Sequence, residues 1–224
     1  MIAIAIDGPA GAGKSTIARA LARHLGYIYV DTGALYRAVG YYMLQHGVDP
    51  SKEKEVVPQL PKIDVTIRFV DGEQRVFLNG EDVSDRIRTP ELSMAASDVS
   101  ALPPVRAFLL DQQRNLAAAS HVVMDGRDIG TVVLPQAQVK IFLTASPEDR
   151  AERRRQELMG KGIHTDFAEV LEDVRKRDYN DSHRAIAPLC QAPDAILVDT
   201  TGNTCEQSIA QLIAVVEAAL LKTS

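Results

Sequence analysis

Gly8-Pro9-Ala10-Gly11-Ala12-Gly13-Lys14-Ser15 lies between the apolar run Ile2 to Ile6 and a stretch of helical character, Ser15 to Leu25, that stops at Gly26. It satisfies G-x-x-x-x-G-K-[ST] where that spacing has a physical use, in a turn joining a strand to a helix. Glycines there let backbone N–H groups turn toward phosphate oxygens, the helix N-terminus adds positive potential, and Lys14 can bridge the β- and γ-phosphates. Ser15 or Thr16 would supply a hydroxyl on the magnesium side. Gly8 to Thr16 therefore predict a nucleoside triphosphate site, and leave open whether the protein is a switch, a motor, a transporter or a kinase.

Working outward, a second strand from Tyr27 to Val30 reaches Asp31-Thr32-Gly33, and Leu35, Ala38, Val39, Tyr42 and Met43 repeat at helical spacing until near Gly47. The period then changes. Ile63, Val65, Ile67 and Phe69 alternate with Asp64, Thr66 and Arg68, and Asp71-Gly72 and Asn79-Gly80 supply hairpin turns, so about 62–84 reads as an antiparallel meander whose apolar face must pack on something. Pro103 and Pro104 separate two helical stretches, and strands are expected at His121 to Met124, Val139 to Leu143 and Ala195 to Val198. Ser146-Pro147-Glu148-Asp149 opens one helix, and Asp166 to Glu169 and Thr204 to Gln207 have the spacing of capping boxes.

Five short apolar strands separated by helices predict an α/β fold: a five-stranded parallel sheet of P-loop NTPase type with helices on both faces, a small antiparallel β insertion and a helical lid. One domain is expected, with core 1–61 and 85–224, insertion about 62–84 and lid about 148–166. The 224 residues, 46% hydrophobic and 25% charged, suit a globular chain with a continuous core. A net charge of −5 gives no basic face for nucleic acid, so an anionic ligand needs a local site. Cys190 and Cys205 are too few for a disulfide scaffold and not spaced for metal, which fits a reducing cytosol. Asp7 interrupts the apolar start, and no run approaches the roughly 18 apolar residues of a spanning helix. The expectation is a soluble cytoplasmic monomer with small-molecule substrates and neither nucleic-acid nor membrane partner.

Three polar clusters fall at the C-terminal ends of successive expected strands: the loop itself, Asp31-Thr32-Gly33 with Arg37, and Asp125-Gly126-Arg127-Asp128. In an open parallel sheet those ends share one edge, where ligands bind. Taken singly, Asp31 and Arg37 also read as helix-start chemistry, and Arg127-Asp128 as a loop ion pair. Arg177, Asp181 and Arg184 share a face if the helix from Asp166 persists that far. Arg150, Arg153 and Arg154 precede Gly160-Lys161-Gly162, a pattern that suits either a solvated charged helix or a hinged lid excluding water from the γ-phosphate. A guanine-nucleotide switch would want [NT]-K-x-D, which is absent, and Asp199-Thr200-Thr201-Gly202 reads as the turn after the last strand.

In order, Gly8 to Thr16, Asp31-Thr32-Gly33-Ala34-Leu35-Tyr36-Arg37, Asp125-Gly126-Arg127-Asp128-Ile129-Gly130-Thr131 and Arg177-Asp178 through Arg184-Ala185-Ile186-Ala187-Pro188 resemble the bacterial cytidylate kinase family over nearly the whole chain. The resemblance implies a phosphotransferase using ATP and Mg2+, with Ser15 on the metal and CMP or dCMP as acceptor. It implies that Thr32, Arg37 and Arg127 serve the acceptor site, with the arginines near its phosphate. Ser97, Arg106 and Asp128 would face cytosine, and Arg177, Asp181 and Arg184 the ribose. Lys14, Arg127 and the lid's Arg154 are the expected catalytic groups. A carboxylate at Asp128 can accept from the cytosine amino group while Arg106 and Ser97 donate to O2 and N3; uracil presents the reverse pattern at O4 and N3. Thr32 stands where serine occurs in some members, and Ser15 where glycine occurs. The competing readings are a kinase for another small acceptor, such as UMP or shikimate, and a non-catalytic nucleotide switch.

Overall fold

The computed structural model describes residues 1–70, 72–160 and 162–222. Five strands, β1 (Ala3–Asp7), β2 (Ile28–Asp31), β6 (Val122–Gly126), β7 (Val139–Thr144) and β8 (Ile196–Asp199), form one parallel sheet in the order β2-β6-β1-β7-β8. β1 and β6 are buried almost throughout, which is why they read as unbroken apolar runs rather than alternating ones. Register sets Asp7 opposite Gly126 and Asp31 opposite Asp125, so the polar residues that end these strands share one edge.

The insertion is a three-stranded antiparallel sheet of β3 (Val65–Val70), β4 (Glu73–Leu78) and β5 (Glu81–Asp82). Its apolar face, Val65, Val76, Leu78 and Val83, packs with helices α2 (Thr32–Gln45), α4 (Pro90–Ser100) and α5 (Pro103–Ala119) into the largest apolar cluster. The short helix α3 (Glu53–Val56) and a 3-10 turn through Lys62 lead into it. Gln74 of β4 both accepts from Asp31 N (2.7 Å) and donates to Asp31 O (3.1 Å), so the insertion is fastened to the outer edge of β2 through one side chain. A separate cluster of Ile4, Ile6, Leu21, Ile141, Leu143 and Leu212 lies where α1 (Lys14–Leu25) and α8 (Cys205–Leu220) cover the sheet.

Helices α6 (Pro147–Gly160) and α7 (Phe167–His183) form a hairpin around Ala151, Leu158, Val170 and Val174 in the region expected to be a lid. Ser146 Oγ caps α6 by accepting from Asp149 N, and Thr204 with Gln207 makes both arms of a capping box on α8. Asp166 caps α7 through Ala168 N. α7 ends at His183, and Arg184 is extended (φ −63°, ψ 143°). The expected shared helical face of Arg177, Asp181 and Arg184 therefore holds only for the first two. Lys161 of the expected hinge and Asp71 of the expected first hairpin turn lie outside the described residues. Among the described residues no helix is long and apolar enough to cross a membrane.

Candidate active site

The phosphate loop runs from the end of β1 to the start of α1. Gly8 has φ +150°, and a Cβ there would lie 1.9 Å from Leu143 O of the neighbouring strand, so only glycine fits. Lys14 is buried and its Nζ donates to Pro9 O at 2.6 Å, holding the ammonium over the loop. Burial, and then the Arg127 guanidinium, push its pKa well below the ordinary lysine value.

Ser15 Oγ donates to Asp125 Oδ2 at 3.0 Å, and Tyr29 OH donates to Asp125 Oδ1 at 2.9 Å. Asp125 is 3% exposed; burial, reinforced by the Asp31 charge, pushes its pKa up to about 6. The sequence reading placed Asp125 in a cluster without giving it a role. Its signal was positional: it ends β6 beside the loop's hydroxyl. No group of three or more His, Cys, Asp or Glu among the described residues is arranged to cage a metal. One hydroxyl and one buried carboxylate, completed by phosphate oxygens and waters, is a donor set that suits Mg2+.

Buried Arg106 and half-buried Arg37, Arg127, Arg177 and Arg184 gather from α2, α5, the end of β6, and α7 with its C-terminal cap. Asp31 caps α2 through Ala34 N (3.1 Å), the helix-start chemistry expected of it, and pairs with Arg37 at 2.6 Å. Thr32 Oγ1 donates to Asp125 O at 2.8 Å, which commits its hydroxyl to joining α2 to β6. Arg127 Nε donates to Asp181 Oδ2 at 2.8 Å. Asp128 lies between Arg106, whose Nη2 donates to Oδ2, and Arg184, whose Nη2 donates to Oδ1 at 3.3 Å. Arg106 also donates to Ser100 O (3.3 Å), and Ser100 Oγ donates to the carbonyl of buried Ser97 (2.9 Å); Ser100 was not foreseen. Arg37 Nε and Arg177 Nε are buried with no hydrogen-bond partner among the described residues. Burial, with Arg127 nearby, brings the Arg177 pKa down to about 10. These two unpartnered guanidinium donors are free to meet an anion.

The three arginines of α6 divide their work. Arg150 is buried, donates to Ala10 O of the phosphate loop (3.0 Å) and forks onto Asp178 of α7 at 2.9 and 2.5 Å. Arg153 donates to Thr200 O at 2.7 Å and to Ala12 O at 3.4 Å. Arg154 pairs along the helix with Glu157 at 2.8 Å, yet is near enough to lower the Arg177 pKa. Asp199 Oδ1 accepts from Thr201 N and Oγ1, the strand-ending turn expected of that stretch.

A glycine-rich phosphate loop opening a helix at the end of a parallel strand, beside a cluster of buried and half-buried arginines, defines a P-loop kinase. The chain belongs to the cytidylate kinase family, whose family model matches residues 4–218. It is 52% identical to the cytidylate kinase of Caldicellulosiruptor bescii over 95% of this chain and 94% of that one. It is 51% identical to that of Carboxydothermus hydrogenoformans over 95% and 96%. The crystal structure of an uncharacterized protein from Eubacterium ventriosum has a similar fold, with a TM-score of 0.52 at 13% identity over 97% of this chain and 99% of that one.

Proposed function

We propose that the chain transfers the γ-phosphoryl group of ATP to CMP or dCMP, giving CDP or dCDP and ADP. The observation that carries this reading is Asp128, a buried carboxylate held between two arginines at the acceptor end of the cleft. There a carboxylate can accept from the cytosine amino group while Arg106 and Ser97 donate to O2 and N3. Arg37 and Arg127 take the acceptor phosphate, and Arg177, Asp181 and Arg184 the ribose side. Thr32 supports them from the start of α2.

Gly8, Pro9, Ala10, Gly11, Ala12, Gly13, Lys14, Ser15 and Thr16 hold the donor. A CMP phosphate oxygen attacks the γ-phosphorus in line, a P–O bond forms, and the β–γ bridging oxygen leaves with ADP. No general base is required, because the attacking phosphate is already anionic. Lys14 and Arg127 offset charge on the transferring group, and Arg154 joins them when α6 and α7 close over the cleft. Mg2+, held by Ser15 and the Asp125 side, would neutralise β- and γ-phosphate charge when bound.

A net charge of −5 supports a small-molecule substrate rather than nucleic acid, and a cytoplasmic monomer is the simplest setting for it. Core 1–61 and 85–224, insertion 62–84 and lid 148–166 would then move around one cleft. The test is a steady-state panel of CMP, dCMP, UMP, AMP and shikimate in a coupled ADP-release assay. A mismatch of buried polar groups discriminates by about 10⁴ to 10⁵ in a rigid, dry site. A higher kcat/KM for UMP than for CMP would overturn the base assignment.

A further inference from the structure

β1 ends on Asp7, immediately before the phosphate loop, yet its carboxylate spans to the other half of the cleft. Oδ1 accepts from Ile129 N and Oδ2 from Gly130 N, each at 2.7 Å. The residue is 4% exposed, and burial pushes its pKa up to about 6, against the pull of those two amides and of Lys14. An acid this buried is costly to ionise, so its retention calls for a return. The two amides open a π-helical turn, Ile129–Val133, whose Val132 N and Val133 N donate back to Asp128 O at 2.9 and 3.1 Å. A Cβ at Gly130 would meet Asp7 Oδ2 at 3.3 Å and the Lys140 stem at 3.2 Å, so the turn is packed directly onto the carboxylate. Asp128, at φ −147° and ψ 29°, is the residue next to this pinned turn.

We infer that Asp7 is a positioning residue for acceptor recognition: by pinning the Ile129 and Gly130 amides it fixes Asp128 between Arg106 and Arg184, at a set distance from the loop that holds ATP. This rests on the assignment of Asp128 to the cytosine amino group. Each carboxylate oxygen takes one N–H, and no other side chain of similar shape offers two acceptors. In Asp7→Asn the amide oxygen keeps one bond and Nδ2 opposes an N–H. The turn shifts, and Asp128 shifts with it.

The experiment is steady-state kinetics of the full chain with CMP and UMP at saturating ATP. In Asp7→Asn, kcat/KM for CMP falls about 10- to 100-fold, mainly through KM, while that for UMP changes little, so base preference falls by about the same factor. A carboxylate serving stability alone would leave the CMP to UMP ratio unchanged, and that result overturns the inference. In an Asp128→Ala background the same substitution should alter the ratio less than about twofold, because its effect runs through Asp128; full additivity overturns it. Wild-type protein gives an independent reading: the Ile129 and Gly130 amides should exchange with solvent as slowly as those of β6, and rapid exchange refutes the pinning even if Asp7→Asn fails to fold. A wild type that prefers UMP would defeat the base assignment itself, whereas a wild type that prefers CMP beside an Asp7→Asn of unchanged preference defeats only this inference.

Discussion

Asp128→Asn keeps the shape of the side chain and removes its charge, which leaves Arg106 and Arg184 facing a neutral amide in a dry site. The three side chains are 6%, 9% and 5% exposed, so water can do little to screen the two guanidiniums. Removing one partner of a buried ion pair costs about 3–5 kcal/mol. For a chain of this length each kcal/mol moves Tm by about 2–4 °C, so Tm should fall by roughly 6–20 °C. Burial and the Arg106 charge hold the Arg184 pKa below its ordinary value, and Asp181, which opposes them, offsets part of the repulsion and favours the lower half of that range. The assay is thermal and urea unfolding of wild type, Asp128→Asn, Arg106→Met and the double variant. Arg106→Met relieves the repulsion, so Asp128→Asn should cost less in that background. Molar salt should restore little, because the charges are buried. CMP at a hundred times its Kd stabilises wild type by about 2.7 kcal/mol, and should barely stabilise Asp128→Asn. A Tm within about 2 °C of wild type, or strict additivity in the double variant, would refute the ion-pair account.

Gly8→Ala places a Cβ onto Leu143 O, whereas Gly26 at φ +68° has nothing within 4 Å, so differential scanning calorimetry should show Gly26→Ala losing about 1 kcal/mol and Gly8→Ala far more. Ser84 Oγ donates to Asp82 and accepts from buried Val76 N; with the Ser84 N–H and Arg75 it brings the Asp82 pKa down to about 2. A depressed acid adds stability that is complete above its unfolded pKa of 3.8 and is lost as pH falls from about 4 toward 2. Ser84→Ala should therefore raise the Asp82 titration midpoint in a carboxyl NMR titration, flatten that acid limb, and cost about 1–3 kcal/mol at neutral pH through the stranded amide. EDTA should abolish phosphoryl transfer while leaving the nucleotide-free Tm unchanged, because no caged metal group exists among the described residues; a Tm drop in calorimetry would show that a cation supports the fold.

The parallel sheet and the meander were legible because burial on two faces and burial on one leave different periods, as in Val122 to Met124 against Ile63 to Phe69. The donor loop was legible because its defining residues, Gly8 to Thr16, are contiguous in the chain. What escaped were residues whose meaning depends on a distant partner. Asp7 and Asp125 are ordinary strand-end acids until the fold brings Gly130 and Ser15 against them, across 123 and 110 residues. The end of α7 was missed because no glycine marks it: the chain stops in a local return, in which Leu189 N donates to Asp181 O and Arg184 Nε to Ala187 O, with Ala187 at φ +49°. The α6 arginines looked alike in sequence; Arg150 and Arg154 share a face one turn apart, and only the distance along the helix separates Arg150, buried against the loop, from Arg154, beside Glu157.

The largest apolar cluster belongs to α2, α4, α5 and the insertion, and the cluster beneath the phosphate loop is a different set of residues. The molecule thus resembles a tool with a fixed handle and an interchangeable jaw. Trading volumes among Val39, Met43, Val76 and Leu92 can reshape the jaw while the grip on the triphosphate stays as it is. Descent with a new acceptor would then combine a reshaped jaw with new polar residues at Arg106, Asp128 and Arg184, and a library over those two sets of positions is the economical place to look for one.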